Sequence, residues 1–357
     1  MNTTLELAEL DRKIGRLFMC GMPGTRVDRE TERLIRRVHP SGVILFSRNV
    51  ADPVQLAGLC RRLQEIALDA HGMPLILAVD QEGGRVARLR APFTEFPGNE
   101  SIGRSESPEG QAEAFARTTA REMGLVGLNM DLAPVLDVGR GPLEEHLRGR
   151  TFGEDPRRVA ELGRIVIRTL QAGGIMAVAK HFPGLGRSAE DPHVRLPEIL
   201  LEEGELETVN LVPFRAAVEE GVAGVMTSHA VYPSIDPGTP GTLSGAVLKG
   251  LLRERLGYDG LVITDDLEMG AIASGWGVPA GAAAAFAAGA DILLVCEDQG
   301  LVAEAQSVIR SRLLHGEIPM GRLHRSLERV QRVLDRFLSA GPSISTERAA
   351  TYFGGSA

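Results

Sequence analysis

The chain has 357 residues, of which 43% are hydrophobic and 24% are charged, so it can bury a large core. Its formal net charge is −8 and its pI is near 5.6. This acidic balance argues against a nucleic-acid or anionic-membrane partner, because either would require a basic face. A small neutral or anionic ligand is compatible with the composition.

Three cysteines, Cys20, Cys60 and Cys296, are too few and too widely spaced for a disulfide framework or a cysteine-rich metal site. We expect free, mostly buried thiols in a reducing compartment. The first residues include acidic side chains where a signal peptide needs positive charge, and no run approaches the roughly 18 apolar residues of a membrane span. These features predict a cytoplasmic protein.

Eight short runs rich in apolar and β-branched residues recur along the chain, with helical patterns between them. The runs are Leu17–Cys20, Val43–Phe46, Leu75–Val79, Asn129–Ala133, Ala177–Lys180, Val225–Ser228, Leu261–Thr264 and Ile292–Val295. They are continuously apolar and do not alternate with polar residues, which is typical of parallel strands buried on both faces.

Three helices are predicted to begin at a capping residue followed by proline, namely Asp52-Pro53, Ser107-Pro108 and Asp155-Pro156. The third of these places four apolar residues on one face and ends at Gly173-Gly174; the four are Val159, Leu162, Val166 and Leu170. A last amphipathic helix is marked by Leu323, Leu327, Val330, Leu334 and Phe337.

Eight strand-then-helix units in about 300 residues are what a (β/α)8 TIM-type barrel requires. A doubly wound sheet is the alternative fold. The segment from Ser339 onward is rich in small and polar residues. We therefore divide the chain into one catalytic barrel at residues 1–340 and a C-terminal tail at residues 341–357, with no second domain.

Ionisable residues follow four of the predicted strands, at the end where the active site of such a barrel lies. They are Asp80, the pair Lys180-His181, His229, and the pair Asp265-Asp266. Singly, each could cap a helix or form a structural ion pair. Jointly, carboxylates, a lysine and histidines at one barrel mouth favour a polar-ligand site.

Residues 180–198, KHFPGLGRSAEDPHVRLPE, form a long stretch rich in glycine and proline that suits a movable active-site loop. Pro192 favours extended backbone at Asp191, so Asp191 and His193 point to the same side and form an acid/base dyad. The alternative is a turn with a solvated histidine. A strand-end carboxylate such as Asp265 could attack a sugar's anomeric carbon while His193 protonates the leaving oxygen.

Nine segments then carry a family resemblance: HPSGVILFSRN at 39–49, AVDQEGGRVARL at 78–89, FPGN at 96–99, LNMDLAPVLDV at 128–138, RTFGEDP at 150–156, KHFPGLG at 180–186, DPH at 191–193, VMTSHAVYP at 225–233 and ITDDLEMGAI at 263–272. Over residues 10–300 the chain resembles the bacterial β-N-acetylglucosaminidases of glycoside hydrolase family 3, which act in peptidoglycan recycling. The resemblance implies a barrel of that family's N-terminal type.

The resemblance also implies the reaction. Asp265, the first aspartate of the (S/T)-D-D-L motif, would be the nucleophile of a retaining exo-glycosidase and form a covalent glycosyl-enzyme. His193 would be the acid/base, with Asp191 supporting it. The substrate would be a small carbohydrate or muropeptide with terminal non-reducing β-N-acetylglucosamine, and neither a metal nor an organic cofactor would be required.

For the sugar subsite, the resemblance implies that Asp80 binds ring hydroxyls. Four further residues would line this subsite, with His229 close by; the four are Arg88, Arg150, Lys180 and His181. Charged, bidentate partners suit hydroxyls, and hydrogen bonds around the ring favour the transition state.

Two departures from the family pattern concern the loop. The usual PGHGDT reads PGLGRS, so Leu185 and Arg187 replace a histidine and an aspartate, and the usual D-S-H reads D-P-H. They bear on the loop's resting conformation and on leaving-group preference. Arg187 would either contact an anionic aglycone or be solvated. We also expect the barrel to act without the second domain from which many family members take a glutamate acid.

Four other functions compete with this interpretation. A phosphorylase could use the same dyad, since a histidine base does not repel phosphate, and a plain β-glucosidase would differ in its response to the 2-acetamido group. A metal-dependent hydrolase could use His181, His193 and His229, although they are widely spread. A catalytically silent sugar-binding barrel would bind without turnover. The natural aglycone and the oligomeric state stay open.

Overall fold

The computed structural model describes residues 3–140, 145–186, 191–341 and 343–354. This part of the chain contains twelve strands: β1 (Phe18–Cys20), β2 (Gly42–Leu45), β3 (Ile76–Val79), β4 (Gln81–Gly83), β5 (Val86–Ala87), β6 (Met130–Asp131), β7 (Met176–Phe182), β8 (Gly224–Thr227), β9 (Val231–Tyr232), β10 (Asp236–Pro240), β11 (Leu261–Asp266) and β12 (Ile292–Val295).

Eight of these strands run parallel and close into a barrel in chain order: β1, β2, β3, β6, β7, β8, β11 and β12. The barrel closes where Phe18 of β1 pairs with Leu293 of β12. The remaining strands form two hairpins, β4 with β5 and β9 with β10. The predicted (β/α)8 barrel is confirmed, and each of the eight predicted apolar runs overlaps a barrel strand.

Strand β12 illustrates why these runs are continuously apolar. Ile292 and Leu294 belong to the hydrophobic cluster that fills the barrel, whereas Leu293 and Val295 belong to the cluster between the barrel and its helices. All four residues are at most 2% exposed. A parallel strand covered on both faces therefore needs apolar residues at every position, and truncating one of them to alanine costs roughly 2–5 kcal/mol.

Two strands are longer than predicted, and the extra residues matter for the site. Strand β7 continues through His181 to Phe182, which pairs with Thr227, and β11 continues to Asp266, which pairs with Leu294 after a register shift. Strand β6 is shorter than predicted and ends at Asp131, although Leu132 and Ala133 still make backbone hydrogen bonds to β3 and β7. The ionisable residues of β7 and β11 are thus part of the barrel itself.

The described helices are α1 (Thr3–Gly15), α2 (Arg29–Val38), α3 (Pro53–His71), α4 (Asn99–Gly103), α5 (Pro108–Val126), α6 (Pro156–Ala172), α7 (Leu211–Glu219), α8 (Gly270–Ala273), α9 (Val278–Ala288), α10 (Gln299–Leu314), α11 (Met320–Leu338) and α12 (Thr346–Gly354). Short 3-10 turns occur at Ser47–Asn49 and Gly241–Leu243, and π-helical segments at Leu206–Asn210 and Ala246–Arg255.

The three predicted helix starts are confirmed at α3, α5 and α6. Asp52 accepts 2.8 Å hydrogen bonds from the N–H groups of Val54 and Gln55, and Asp155 accepts one from Arg157. Ser107 differs from the expectation, because its side chain makes no capping hydrogen bond and proline alone marks that start. The predicted apolar face of α6 is buried, and Gly173 caps its end.

The segment predicted as a C-terminal tail contains helix α12, which packs against α3 and α5. Ala349 is fully buried, and the Phe353 ring lies 4.6 Å from the Phe93 ring. One apolar residue per turn was too weak a pattern to predict this helix. All three cysteines are free and buried, as expected. Within the described ranges, no helix is both long and apolar enough to span a membrane.

Candidate active site

A cleft opens at the carboxyl ends of the barrel strands and has a volume of about 490 Å³. That volume lies within the roughly 300–1,000 Å³ of typical small-molecule sites. The cleft brings together eight of the nine residues predicted for the site: Asp80, Arg88, Arg150, Lys180, His181, Asp191, His193 and Asp265. These come from five separate parts of the chain, which only the closed barrel places together.

One end of the cleft is held by four charged side chains that we call the buried network: Asp80, Glu82, Arg150 and Lys180. The Lys180 ammonium lies 2.8 Å from Asp80 and 2.7 Å from Glu82, and it is 2% exposed. Arg150 donates two 2.8 Å hydrogen bonds to the Glu82 carboxylate. Each buried charge thus has an opposite charge at hydrogen-bond distance, as burial of ions requires.

The buried network keeps its carboxylates ionised. Burial by itself would raise the pKa of Asp80, but the charges of Lys180 and Arg88 hold that pKa well below its ordinary value. The Arg88 guanidinium lies 3.0 Å from Asp80. Burial likewise opposes ionisation of Glu82, and Arg150 and Lys180 lower the pKa of its carboxyl to about 2. Glu82 was not among the predicted site residues, although the three cations predicted for the sugar subsite outnumber its one predicted carboxylate, Asp80.

His181 is oriented by Asp137, which is fully buried and was likewise not predicted. Nδ1 of His181 lies 2.7 Å from the Asp137 carboxylate, whose other oxygen accepts a 2.7 Å hydrogen bond from the N–H of Leu185. Because a carboxylate can only accept, Nδ1 carries the proton and Nε2 is left for a ligand. Burial opposes ionisation of Asp137, yet His181 keeps the pKa of this carboxyl below its usual value.

Asp191 and His193 form the predicted pair, here called the loop dyad. The predicted extended backbone is wrong, because residues 192–194 form a turn in which the N–H groups of Val194 and Arg195 donate to the Asp191 carbonyl. Asp191 Oδ1 lies 2.6 Å from His193 Nδ1 and also accepts a 2.9 Å hydrogen bond from the His193 N–H. The His193 side chain is 60% exposed and that of Asp191 is 38% exposed. The loop dyad is therefore largely hydrated, whereas the buried network is not.

The segment that carries the loop dyad rests on the start of helix α8. The N–H of Gly270 donates to the His193 carbonyl at 3.0 Å, and the N–H of Ala271 donates to the Pro192 carbonyl at 3.2 Å. A Cβ at Gly270 would lie 2.7 Å from the Val194 carbonyl oxygen, so glycine is required for this close approach. Helix α8 follows β11, and the loop dyad is thereby held near the end of that strand.

Asp265 and Asp266 end strand β11, and both line the cleft. Asp265 Oδ1 accepts a 2.9 Å hydrogen bond from the Asp266 N–H. Burial raises the pKa of Asp266 to about 7, and the nearby carboxylates of Glu268 and Asp265 add to this rise. Asp266 therefore changes its protonation near neutral pH.

His229 does not line the cleft, in contrast to its predicted place beside the sugar. Its ring is fully buried, with Nδ1 2.7 Å from the Thr242 hydroxyl and Nε2 2.9 Å from the Asp266 carbonyl oxygen. Burial also lowers the pKa of this imidazole. With both nitrogens engaged, His229 supports the backbone at the end of β11 from behind.

Leu185 is the first of the two residues that depart from the family pattern in the loop carrying Asp191 and His193. It is 2% exposed. It belongs to a small hydrophobic cluster with Leu147, Ile199, Ala230 and Tyr232. The Tyr232 hydroxyl also donates a 2.9 Å hydrogen bond to the carbonyl of Gly184. Leucine at this position thus anchors the base of the loop, while Arg187 lies outside the described residues.

The cleft is rich in carboxylates and histidines, but the described residues include no group of three or more His, Cys, Asp or Glu arranged to hold a metal ion. What the geometry offers is a strand-end carboxylate at Asp265, an acid/base pair at Asp191 and His193, and charged groups suited to hydroxyls. These are the components of acid/base-assisted nucleophilic substitution at a sugar.

Residues 9–333 match the family described as the glycosyl hydrolase family 3 N-terminal domain. A β-hexosaminidase of Alkalilimnicola ehrlichii is 39% identical over 287 residues, which cover 78% of this chain and 80% of that protein. A β-hexosaminidase of Pseudomonas aeruginosa is 37% identical over 287 residues, covering 79% of this chain and 82% of that protein.

Solved structures give the same family. A family 3 β-N-acetylglucosaminidase from a Paenibacillus species has a TM-score of 0.90 at 36% identity, covering 95% of this chain. This chain spans only 66% of that longer protein. NagZ from Neisseria gonorrhoeae, solved with N-trifluoroacetyl-D-glucosamine, has a TM-score of 0.75 at 30% identity. The match covers 95% of this chain and 97% of the NagZ chain.

Proposed function

This chain belongs to glycosyl hydrolase family 3 and is a glycoside hydrolase, and we propose that it removes terminal non-reducing β-N-acetylglucosamine with retention of configuration. The observation that carries this proposal is the placement of Asp265 and the loop dyad around one cleft. A strand-end carboxylate and a separate proton donor are the two groups that a retaining glycosidase requires.

In the first step, a carboxylate oxygen of Asp265 attacks the anomeric carbon and the bond from that carbon to the leaving oxygen breaks. Nδ1 of His193 donates to Asp191, so Nε2 is the ring nitrogen that gives its proton to the leaving oxygen. In the second step, His193 takes a proton from water, which attacks the anomeric carbon and releases Asp265. The loop dyad thus returns to its starting protonation state.

The buried network supports recognition of the sugar ring. Its charged groups are already paired and ordered, so binding a hydroxyl requires little rearrangement. Beside this network, Arg88 offers a further donor to the cleft and Nε2 of His181 offers an acceptor. We assign the non-reducing end of the sugar to this part of the cleft, and the anomeric carbon to the part between Asp265 and the loop dyad.

For the natural substrate we propose a muropeptide-like glycoside, released during cell-wall recycling. Support comes from Arg85, an exposed residue between β4 and β5 that lines the cleft and has no ion pair among the described residues. Arg85 was not predicted for the site. The cations that were predicted, Arg88, Arg150 and Lys180, are each paired with a carboxylate. An unpaired cation suits an anionic aglycone such as a muramyl acid or peptide carboxylate. We further place the reaction in the cytoplasm, with which three free thiols agree.

A phosphorylase with the same dyad is the second candidate, because one observation favours it. The acid/base group is a histidine, which does not repel an incoming phosphate as a carboxylate would. In that reaction phosphate would replace water in the second step, so the rate would depend on phosphate concentration.

The proposal is tested by comparing nitrophenyl β-N-acetylglucosaminide with nitrophenyl β-glucoside, each with and without inorganic phosphate. We expect turnover of the acetamido sugar that does not depend on phosphate, with Asp265→Asn as the inactive reference. Faster turnover with phosphate would indicate that the enzyme is a phosphorylase. Preference for the glucoside would indicate a β-glucosidase, and no turnover of either sugar would contradict the enzymatic assignment.

A further inference from the structure

His146 lies in the wall of the cleft and has no hydrogen-bond partner on either ring nitrogen among the described residues. The residue is only 7% exposed, and both nitrogens are buried. By contrast, His181, His193 and His229 each have at least one ring nitrogen at 2.6–2.9 Å from a partner. His146 is therefore the unsatisfied histidine of this region.

The position of His146 is fixed on two sides. Its carbonyl oxygen accepts a 3.0 Å hydrogen bond from Arg150, a member of the buried network. The next residue, Leu147, packs in the hydrophobic cluster with Leu185 at the base of the acid/base loop. His146 thus lies where the sugar-binding end of the cleft meets the segment that leads to the loop dyad.

The His146 imidazole is neutral at physiological pH. Burial lowers its pKa to about 4; the Asp191 carboxylate opposes this shift, while Arg150 and His181 add to it. A neutral imidazole presents one N–H donor and one nitrogen acceptor. Leaving such groups buried without partners destabilises the free protein, and a bound ligand that hydrogen-bonds them would remove this cost.

The ligand group must offer a neutral hydrogen-bonding partner near the anomeric carbon. The proposed function assigns the ring hydroxyls at the non-reducing end to the charged groups of the buried network, which leaves other substituents of the sugar for His146. Asp191, the charged neighbour with the largest effect on His146, belongs to the dyad that acts at the anomeric carbon. The substituent on the adjacent carbon is the 2-acetamido group, and its amide supplies both a donor and an acceptor.

We propose that His146 hydrogen-bonds the 2-acetamido group of the sugar and so determines part of the preference for N-acetylated substrates. This inference rests on the proposed function, which it deepens by naming a residue for the N-acetyl group. His146 acts as a substrate-binding residue and takes no part in proton transfer. Sequence reasoning did not single out this histidine, because it falls outside every strand end and every motif that carries the family resemblance.

The experiment compares His146→Leu, which removes both polar atoms, with His146→Asn, which retains a donor and an acceptor. For each variant, kcat/KM is measured on nitrophenyl β-N-acetylglucosaminide, and inhibition constants are measured for free N-acetylglucosamine and glucose. We expect His146→Leu to weaken N-acetylglucosamine binding and to lower kcat/KM, each about ten-fold, as for one lost hydrogen bond. Glucose inhibition and the pH profile should not change, and His146→Asn should recover most of the loss.

Three further observations separate the possible outcomes. The melting temperature of His146→Leu should equal or exceed that of the wild type, because an unsatisfied polar group is removed. Equal losses for both sugars, no loss, or a shifted pH profile would overturn the inference. If His146→Leu fails to fold, nitrogen NMR of labelled wild-type histidines decides: the His146 signal should move with N-acetylglucosamine and not with glucose. A wild type that does not prefer the acetamido sugar would instead overturn the proposed function, and this inference with it.

Discussion

The buried network and the loop dyad are both built from a carboxylate and a basic side chain at hydrogen-bond distance, yet they are held in opposite ways. In the buried network, the side chains of Lys180 and Glu82 are 2% and 1% exposed. In the loop dyad, those of His193 and Asp191 are 60% and 38% exposed. The same type of pair is thus buried inside the barrel in the buried network and exposed to water on a loop in the loop dyad.

This difference follows from what each pair is proposed to do. A group that recognises an unreactive sugar ring gains from being ordered before binding, so permanent ion pairs inside the barrel are suitable. A group that gives up and takes back a proton must change its charge, which deep burial would oppose. Histidine on a hydrated loop can do this near neutral pH. Asp265 lies between the two regions, at the end of a barrel strand.

The largest expected effect is at Asp265, because it is proposed to form the covalent bond. Asp265→Asn should lower kcat on the order of 10⁴-fold or more, whichever leaving group is used. The matched control is Asp266→Asn, the same change one residue along the chain, which should cost far less. Steady-state kinetics on nitrophenyl β-N-acetylglucosaminide measures both variants. A larger loss in Asp266→Asn than in Asp265→Asn would mean that Asp266, and not Asp265, is the nucleophile.

The next effect concerns the loop dyad and depends on the leaving group. His193→Asn should lower the rate on a poor leaving group, such as the sugar of chitobiose, by about 10²–10⁴-fold. The loss on an activated nitrophenyl leaving group should be much smaller, because that group needs no proton. Asp191→Asn should follow the same pattern with smaller losses. Equal losses on both substrate types would contradict the acid/base assignment.

The third prediction separates the two regions by stability. Lys180→Met removes the cation that Asp80 and Glu82 share, although each of these carboxylates keeps one arginine partner. The free energy of unfolding should therefore fall by roughly 1–3 kcal/mol. Asp191→Asn breaks a pair that is largely in water and should cost under about 1 kcal/mol. Urea denaturation of both variants measures the contrast. Similar losses would mean that the two pairs are not held differently.

The smallest effect is a pH dependence at Asp266. The folded protein keeps the Asp266 proton up to about pH 7, whereas the ordinary aspartate pKa is 3.8, so the group destabilises the fold as pH rises from 4 to 7. Asp266→Asn should therefore be more stable than the wild type at pH 8 and equal to it near pH 4. The expected gap at pH 8 is about 2 kcal/mol, roughly half of what the full pKa shift would give, because Asp266 is partly exposed to solvent. Melting curves across this range measure the difference. A gap that does not vary with pH would exclude the Asp266 proton as its cause.

The sequence predicted the parts of this molecule that rest on repeating local patterns. The barrel followed from eight apolar runs, since strands covered on both faces carry mainly apolar residues and polar ones chiefly near their ends. Residues that end those runs, such as Asp80 and Lys180, were found for the same reason. Helix α12 was missed because its burial depends on contacts with α3 and α5, which are distant in the chain.

The ion-pair and hydrogen-bond partners inside the site could not be predicted from the sequence for a similar reason. Glu82 and Asp137 were not predicted, because their roles depend on Arg150, Lys180 and His181, which only the closed barrel brings near. His229 ends an apolar run as Asp80 does, but the register of its strand turns its ring to Thr242, away from the cleft. The position of a residue at a strand end thus predicts that it lies near the active site, but it does not predict whether its side chain points into the cleft.

The proposed covalent bond to Asp265 is tested most directly by trapping the intermediate. A 5-fluoro N-acetylglucosaminyl fluoride should load the enzyme and then hydrolyse slowly, because fluorine disfavours the charged transition state of the second step. Mass spectrometry should find one sugar on the peptide that contains Asp265, and no adduct in Asp265→Asn. Turnover with no adduct, or an adduct on another peptide such as the one containing His193, would contradict the account.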